Sequence, residues 1–306
     1  MVRSTRLWLA LAALLCAQGC CGPSPEGPRP LAGPLVDGPA ARPKGQPLKL
    51  ASLSANVLQT NREVGPVLRY LEWRVGRGFD LLYCRSYRDM VVAVEERRCE
   101  FAWLSPQTYV ELRPATGCVP LVQQLQGGHS SYRGLLVVGS DSAIDSIDAL
   151  KGKRLALADH SSTSGYAYPM AFFRSRGKEP GQWFSRVEYS GSHEGALMSV
   201  LRGLADAAAV EEPVLERLKG KIHAGGAKVL AVTGEIPNGL IVAQKDVPAE
   251  LRDAVTTALL EMGQTKPGRR IVAGLARGCE FTGFGPVSDR TYDGVRQVRR
   301  DAGLQR

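Results

Sequence analysis

The sequence predicts an α/β protein of two lobes, with the chain crossing between the lobes twice. At 306 residues the chain is too long for one small core, because domains usually hold roughly 100–200 residues. Short apolar segments typical of strands alternate with segments of helical spacing, which indicates βαβ units and a mostly parallel sheet. The alternation starts again after Tyr132, and a last set of elements follows Lys228, which indicates a second lobe and a return to the first.

The first set of elements begins at residue 48. Leu48–Leu53 alternates like a strand, and Val64–Trp73 has apolar residues at helical spacing, with Pro66 expected in the first turn. Further along we expect the strand Phe79–Tyr83, the amphipathic helix Met90–Arg97 and the fully apolar strand Phe101–Leu104.

The second set begins after Tyr132. Its expected strands are Gly134–Val138, Leu155–Ala158, Arg186–Tyr189 and Ala207–Val210. The expected helices are Ile147–Leu150, Tyr166–Ser175 and Glu194–Leu201, the last of them capped by Ser192. Pro169 cannot donate a hydrogen bond to the carbonyl of Gly165, so we expect a kink early in the second of these helices.

The remaining elements predict the return to the first lobe. They are the strands Lys228–Val232 and Leu240–Ala243, followed by the longer helices Ala249–Met262 and Val287–Ala302. We place the two crossings near Tyr132–Val138 and Ala231–Leu240. The first lobe then comprises residues 48–134 and 237–306, and the second comprises residues 135–236.

The N-terminus has the pattern of an export signal. Arg3 and Arg6 precede the apolar run Leu7–Leu15, which is too short to span a membrane as a helix. The following Ala-Gln-Gly-Cys20 resembles the lipobox of bacterial lipoproteins, so we expect residues 1–19 to be a signal peptide and Cys20 to carry lipid. Cleavage by the ordinary signal peptidase is the alternative.

Residues 20–47 are dense in Pro, Gly and Ala with almost no large apolar side chain, so they predict a flexible tether. A lipid, a tether and a folded body together predict a membrane-anchored lipoprotein of the periplasm or cell surface. The formal charge of +9 is widely spread, and no dense Lys/Arg block with interleaved aromatics appears. Nucleic acid is therefore not the expected partner, and the charge favours anions in general.

Four cysteines lie in the body of the chain: Cys84, Cys99, Cys118 and Cys279. Their spacing is not C-x-x-C and no histidine lies nearby, which argues against a zinc site, so we expect neither a metal nor a cofactor. An exported protein can form disulfides, and the nearest pairs in sequence are Cys84 with Cys99 and Cys99 with Cys118. The spacing leaves the connectivity open.

One junction in the second lobe predicts an anion site. The apolar strand that ends at Asp159 runs through His160 into Ser162, Thr163 and Ser164, and then into a helix. The first turn of a helix has unpaired backbone N–H groups and the positive end of the helix dipole, so an oxyanion is stabilised there. The alternative is that one hydroxyl is an ordinary N-cap and the others belong to a turn.

Three segments around this junction resemble the phosphate/phosphite/phosphonate-binding subunits of ABC importers: Gly152–Met170, Tyr189–Glu194 and Gly203–Val210. The resemblance covers roughly residues 48–285. It implies the two-lobed α/β fold of a type II periplasmic binding protein with two chain crossovers between lobes. It also implies capture of a small phosphoryl oxyanion for an ABC permease, and we expect a monomer.

The resemblance implies a set of ligand contacts between the lobes. The oxyanion would lie at the helix start, and its contacts would be Ser162, Thr163, Ser164, His193, Tyr87 and Tyr109. Relatives commonly carry Asp where this chain has Gly239, so the acid that would hold an aminoalkyl tail is missing. Without the resemblance, a surface histidine beside a helix cap is the favoured interpretation of His193.

Glu211 stands directly after the apolar strand Ala207–Val210 and is also a candidate ligand contact. A carboxylate there could accept a hydrogen bond from a protonated ligand oxygen or from an ammonium group. The alternative is that Glu211 and Glu212 are a solvated pair at the start of a helix.

Other functions remain as alternatives. Asp159, His160 and the neighbouring serines could be written as a nucleophilic triad, but they are adjacent in sequence and lack a G-x-S-x-G turn, so we do not expect an enzyme. The same fold could instead serve as a ligand sensor for a membrane partner. A site that has drifted to another anion, or lost its ligand, is a third alternative.

Overall fold

The structure is a computed structural model that describes residues 45–54, 57–218, 226–279 and 281–304. The expected signal peptide, the lipidation site Cys20 and the tether up to residue 44 lie outside the described residues. Within the described ranges, no helix is both long enough and apolar enough to cross a membrane.

The first lobe is a six-stranded sheet in the order β11-β4-β10-β3-β1-β2 with helices on its faces. Its strands are β1 Leu48–Leu53, β2 Phe79–Cys84, β3 Phe101–Leu104, β4 Val119–Gln126, β10 Leu240–Ala243 and β11 Phe281–Gly285. Its helices are α1 Val57–Val75, α2 Tyr87–Glu95, α3 Pro106–Thr116, α8 Ala249–Leu260 and α9 Lys266–Cys279.

The second lobe is a five-stranded sheet in the order β7-β6-β8-β5-β9. Its strands are β5 Ser131–Gly139, β6 Arg154–Leu157, β7 Arg186–Tyr189, β8 Ala207–Glu211 and β9 Ala227–Pro237. Its helices are α4 Tyr168–Arg174, α5 Pro180–Trp183, α6 His193–Leu201 and α7 Glu212–Leu218.

Both sheets are mixed, which corrects the expectation of a mostly parallel sheet. In each lobe the strands joined by helices pair in parallel, as β1 does with β2 and β3 and as β6 does with β7 and β8. The strands beside the two crossings pair antiparallel, as β5 does with β8 and β9. The physical reason is connectivity: the chain enters the second lobe along β5 and leaves it along β9, so these two neighbouring strands run in opposite directions.

Several helix bounds differ from the prediction, and two of the differences lie at prolines. Helix α1 begins at Val57, so Pro66 lies in its interior and not in its first turn. The proline is accommodated because the carbonyl that it leaves without a hydrogen bond belongs to Arg62, on the exposed face of the helix. The kink expected at Pro169 takes the form of a π-helical turn at Thr163–Ala167, after which α4 begins with the proline in its first turn. The expected Ser192 cap is confirmed, since its side chain accepts a hydrogen bond from the N–H of Gly195 at 3.0 Å.

The C-terminal helix α10, Asp293–Asp301, follows a short 3₁₀ turn and packs against both lobes. Tyr292 and Val295 are buried in a core cluster of the first lobe, whereas Ala302 is buried in a core cluster of the second. Val298 packs against both clusters. The helix therefore bridges the lobes.

The disulfides expected among Cys84, Cys99 and Cys118 are wrong, because all three are free, buried thiols. They pack as small apolar side chains in one core cluster of the first lobe. Burial, with a smaller contribution from Asp89, raises the pKa of Cys84 to about 11, and burial raises that of Cys99 to about 12. The side chain of Cys279 lies outside the described part of the structure.

Candidate functional site

A cavity of about 360 Å³ opens between the two sheets at the carboxyl ends of their parallel strands. The first lobe contributes Tyr87 from the start of α2 and Ser105 from the start of α3. The second contributes Tyr132 from β5, His193 from the start of α6 and Glu211 from the end of β8. Open α/β sheets bind ligands at this edge.

The helix start at Ser162 is held by its own cap. Ser162 has extended backbone angles, and its Oγ accepts a hydrogen bond from the N–H of Gly165 at 3.1 Å. The same oxygen lies 3.1 Å from His193 Nε2 and interacts with the hydroxyl of Tyr87 across the cleft. A Cβ at position 165 would lie 2.4 Å from Ala158 Cβ and 2.9 Å from His193 Cε1, so only glycine permits this close packing.

Thr163 joins the two lobes. Its Oγ1 accepts a hydrogen bond from the backbone N–H of Gln107 at 3.0 Å, and Gln107 Nε2 donates to the carbonyl of His160 at 2.6 Å. Ser105, the N-cap of α3, is oriented by the N–H of Thr108 at 3.2 Å. The starts of α3 and of the Ser162 turn therefore face each other across the seam between the lobes.

The three hydroxyls of the Ser162–Ser164 turn are completely buried, at 0%, 1% and 0% exposure, and they do not line the cavity. Each contacts a group that belongs to the cavity wall or the opposite lobe. Ser162 contacts His193, Thr163 contacts Gln107, and Ser164 Oγ lies 3.3 Å from the hydroxyl of Tyr132. The sequence predicted the position of this hydroxyl cluster, but its hydroxyls are buried directly behind the residues that line the cleft.

His193 and Glu211 face each other in the cavity, with Nε2 4.0 Å from Oε2. Their side chains are 11% and 31% exposed. His193 Nδ1 is buried and has no hydrogen-bond partner among the described residues. Glu212 turns away to pair with Arg133, so the two acids are not one solvated pair.

Arginine charge is neutralised at the cavity wall. Arg217 is the one Lys or Arg among the described lining residues, and it pairs with Glu194. Binding of an anion here would therefore depend on hydroxyl, imidazole and backbone N–H donors. Burial first and the charge of Glu211 second raise the pKa values of Tyr87 and Tyr132 above the usual tyrosine range, so both remain O–H donors.

Tyr109 does not reach the cavity, which corrects its place among the candidate contacts. It is completely buried, its hydroxyl donates to Asp289 Oδ1 at 2.6 Å, and its ring packs edge-on against Tyr292 with centroids 5.1 Å apart. The Tyr109 side chain points towards the segment that leads into α10, which contributes Asp289 and Tyr292.

Three residues of this region were missed from the sequence: Ser105, Gln107 and Tyr132. The signal for the first two was present, because Ser105-Pro106 directly after an apolar strand is typical of an N-cap followed by a proline in the first turn. Tyr132 carries no comparable signal. Its hydroxyl reaches Ser164, 32 positions away, only because β5 runs beside the helix start.

The sequence matches, over residues 53–292, the family described as the periplasmic substrate-binding protein of a phosphonate ABC transporter. It is 24% identical over 275 residues to the phosphate-import protein PhnD of Mycolicibacterium smegmatis, covering 82% of this chain and 84% of that protein.

Two solved structures are similar in fold. The binding protein component of an ABC phosphonate transporter from Pseudomonas aeruginosa superposes with a TM-score of 0.75 at 20% identity, over 85% of this chain and 87% of that one. PhnD1 from Prochlorococcus marinus, solved in complex with methylphosphonate, superposes with a TM-score of 0.74 at 18% identity, over 84% and 98%. These similarities confirm the two-lobed fold that the resemblance implied.

Proposed function

The chain belongs to the family of periplasmic substrate-binding proteins of phosphonate ABC transporters, and from that premise we propose that it captures phosphate, phosphite or a phosphonate between its lobes. Members of this family bind substrates for transport, which confirms the expectation that the protein is not an enzyme. Its partners are accordingly a small phosphorus-containing ligand and the permease of an ABC transporter.

The observation that carries the proposal is the convergence of hydrogen-bond donors where the two helix starts meet. The Gln107 N–H, the Thr163 and Ser162 hydroxyls, the Tyr87 hydroxyl and the His193 ring all lie at this seam. Most of these groups now bond to one another. A phosphoryl group brings oxygen acceptors that several of them could use at once, and hydrogen bonds to a charged group are worth about 1.5–3 kcal/mol each.

The binding step we propose is an exchange of partners. When the lobes part, the Gln107 to Thr163 hydrogen bond opens, and the phosphoryl oxygens take its place between the start of α3 and the Ser162–Ser164 turn. Ser164 acts through Tyr132, which lines the cavity. Glu211 accepts a hydrogen bond from a protonated oxygen of the ligand.

Calorimetric titration of the purified protein with phosphate, phosphite and methylphosphonate tests this function. We expect saturable binding of at least one of the three with micromolar affinity or better, which corresponds to about −8 kcal/mol. Sulfate, which has no proton to share with Glu211 at neutral pH, is the matched control and should bind more weakly. Absence of binding across all three phosphorus compounds would overturn the proposal.

We also propose that the protein is a lipoprotein, anchored through Cys20, with residues 20–47 as tether and the folded body acting as a monomer. The Ala-Gln-Gly-Cys20 sequence and the Pro- and Gly-rich segment after it support this. Replacement Cys20→Ser should move the protein from the membrane fraction to the soluble fraction and abolish incorporation of labelled palmitate. Cys21→Ser is the control and should change neither, and a membrane-bound Cys20→Ser protein would contradict the anchor.

A further inference from the structure

The C-terminal helix α10 is a third connection between the lobes, besides the two crossings of the chain. It packs against α3 of the first lobe and against α4 and the Thr163–Ala167 turn of the second. Because the start of α3 and this turn also meet at the lobe seam, α10 lies beside the elements that form the proposed binding site. A rigid helix cannot follow two lobes that rotate apart, so opening of the cleft must release α10 from one of them.

The contacts of α10 with the first lobe are both apolar and ionic. Tyr292, directly before the helix, and Val295 in its first turn are completely buried in the core cluster of that lobe. Asp289, at the start of the same segment, accepts a hydrogen bond from the Tyr109 hydroxyl at 2.6 Å and pairs with Arg113 Nε at 2.9 Å. Release from the first lobe would therefore expose a buried tyrosine ring and break these polar contacts.

The contacts with the second lobe are made by smaller side chains near the C-terminus. Ala302 is buried in the core cluster of that lobe, Leu304 packs against it, and Val298 packs against the clusters of both lobes. Gly303 ends the helix with a φ of +63°, which lets Leu304 turn back towards the second lobe. Arg174 of α4 also donates to the Ala302 carbonyl, a bond that water can replace once the lobes separate. Because Val298 and Leu304 are only partly buried, release from the second lobe costs less than release from the first.

Tyr168 of α4 extends this apolar contact between the lobes. Although it belongs to the second lobe, its ring is buried in the core cluster of the first, the cluster against which Val298 packs. The ring lies against Gly234, where an added Cβ would come within 2.7 Å of it. A phosphoryl group can take the place of the hydrogen bond between Gln107 and Thr163, but it offers no apolar surface to replace these contacts. We therefore expect the contacts in every closed form of the protein, with ligand or without.

We propose that α10 is a strap that stays with the first lobe and releases the second lobe each time the cleft opens. Contacts that exist in both closed forms stabilise both of them against the open form by the same amount. The strap therefore sets how often the cleft opens, and through it the rates of ligand entry and exit, without setting the affinity. The inference rests on the proposed function only where ligand kinetics are used, because opening is measurable without ligand.

Hydrogen–deuterium exchange of the ligand-free full chain measures opening. The backbone N–H of Gln107 reports it, because its acceptor, Thr163 Oγ1, belongs to the opposite lobe. We expect Val298→Ala to raise the exchange rate of this N–H about fivefold or more, because the lost methyl groups contact the second lobe only when the lobes are closed. Leu304→Ala, at the end of the described chain and outside any helix, should raise it in the same direction and serves if Val298→Ala fails to fold.

Val295→Ala is the matched control on the same helix. Val295 is buried in the first-lobe cluster alone, so its contacts persist when the second lobe is released. The substitution should lower the temperature of global unfolding while leaving the exchange rate of the Gln107 N–H within about twofold, because it destabilises the open and closed forms equally.

Stopped-flow binding adds a measurement that a purely structural role would not change. With whichever of phosphate, phosphite and methylphosphonate binds, Val298→Ala should raise the association and dissociation rate constants by the same factor of about five or more, with the Kd changed less than about twofold.

Each failure has a separate meaning. If Val298→Ala and Leu304→Ala leave Gln107 exchange unchanged, or if Val295→Ala accelerates it equally, the strap is wrong and the proposed function stands. A weaker Kd with an unchanged association rate would also overturn the strap. If none of the three phosphorus compounds binds, the proposed function is overturned, and the exchange rates alone decide the strap.

Discussion

Two helix starts meet at the lobe seam, and they differ in how their polar groups are used. Both follow a strand at the carboxyl edge of a sheet, and both begin with a serine N-cap, Ser105 in the first lobe and Ser162 in the second. Ser105 lines the cavity, whereas Ser162 is completely buried behind it and reaches His193. The first lobe therefore presents its serine hydroxyl directly to the cavity, whereas Ser162 of the second lobe positions His193, which lines the cavity.

The helix start at Ser162 depends on close packing at a glycine, whereas the first turns of α3 contain none. Gly165→Ala would put a Cβ 2.4 Å from Ala158 Cβ and against the His193 ring. We expect a loss of about 1–3 kcal/mol of folding free energy from overpacking and at least a hundredfold loss of affinity for the best phosphorus ligand. Thermal unfolding and calorimetry measure the two effects.

Gly181→Ala is the matched control, because its added methyl group meets nothing within 4 Å and its φ is not positive. It should leave both stability and binding unchanged. A Gly165→Ala protein that binds normally would show that the position of His193 against the helix start does not matter.

Side-chain donors of the second lobe should matter more than the cap of the first. We expect Thr163→Ala and His193→Ala each to weaken binding by about 1–3 kcal/mol. Ser105→Ala should cost less, because the backbone N–H groups of α3 remain. His129→Ala, at an exposed histidine outside the cavity, is the control. Unchanged isotherms for Thr163→Ala and His193→Ala would contradict the site.

The hydrogen bond between Gln107 Nε2 and the His160 carbonyl should contribute little to holding the lobes together. Gln107 Oε1 is buried and has no partner among the described residues, so Gln107→Ala also removes an unsatisfied acceptor. We expect folding free energy to change by less than about 1 kcal/mol, and the ligand-free radius in small-angle scattering to stay unchanged. A large loss of stability would mean that the seam depends on this side chain.

The smallest expected effect is that of alkaline pH. Burial and then Glu211 raise the pKa values of Tyr87 and Tyr132, so neither hydroxyl should ionise as pH rises through the ordinary tyrosine range near about 10. Because both groups are neutral below their raised pKa values, affinity for methylphosphonate should stay flat between about pH 9 and 10.5. A fall in affinity that Tyr87→Phe abolishes would show that Tyr87 ionises normally.

The sequence determined those parts of the protein that depend on neighbouring residues. The strands β1, β3 and β7 and the Ser192 cap were predictable because short apolar or alternating runs and capping are properties of a few consecutive positions. The Ser162–Ser164 cluster was located for the same reason. The family resemblance added the two-lobed arrangement, which spacing alone indicated only in outline.

The tertiary structure decided which side chains face the cleft. Thr163 meets Gln107 from 56 positions away, Tyr109 turns to Asp289 across 180 positions, and the three thiols share an apolar core instead of forming disulfides. The order of the antiparallel strands was decided in the same way. These features depend on contacts between distant segments, and such contacts exist only once the two sheets have formed and the helices have packed on them, so no local pattern records them.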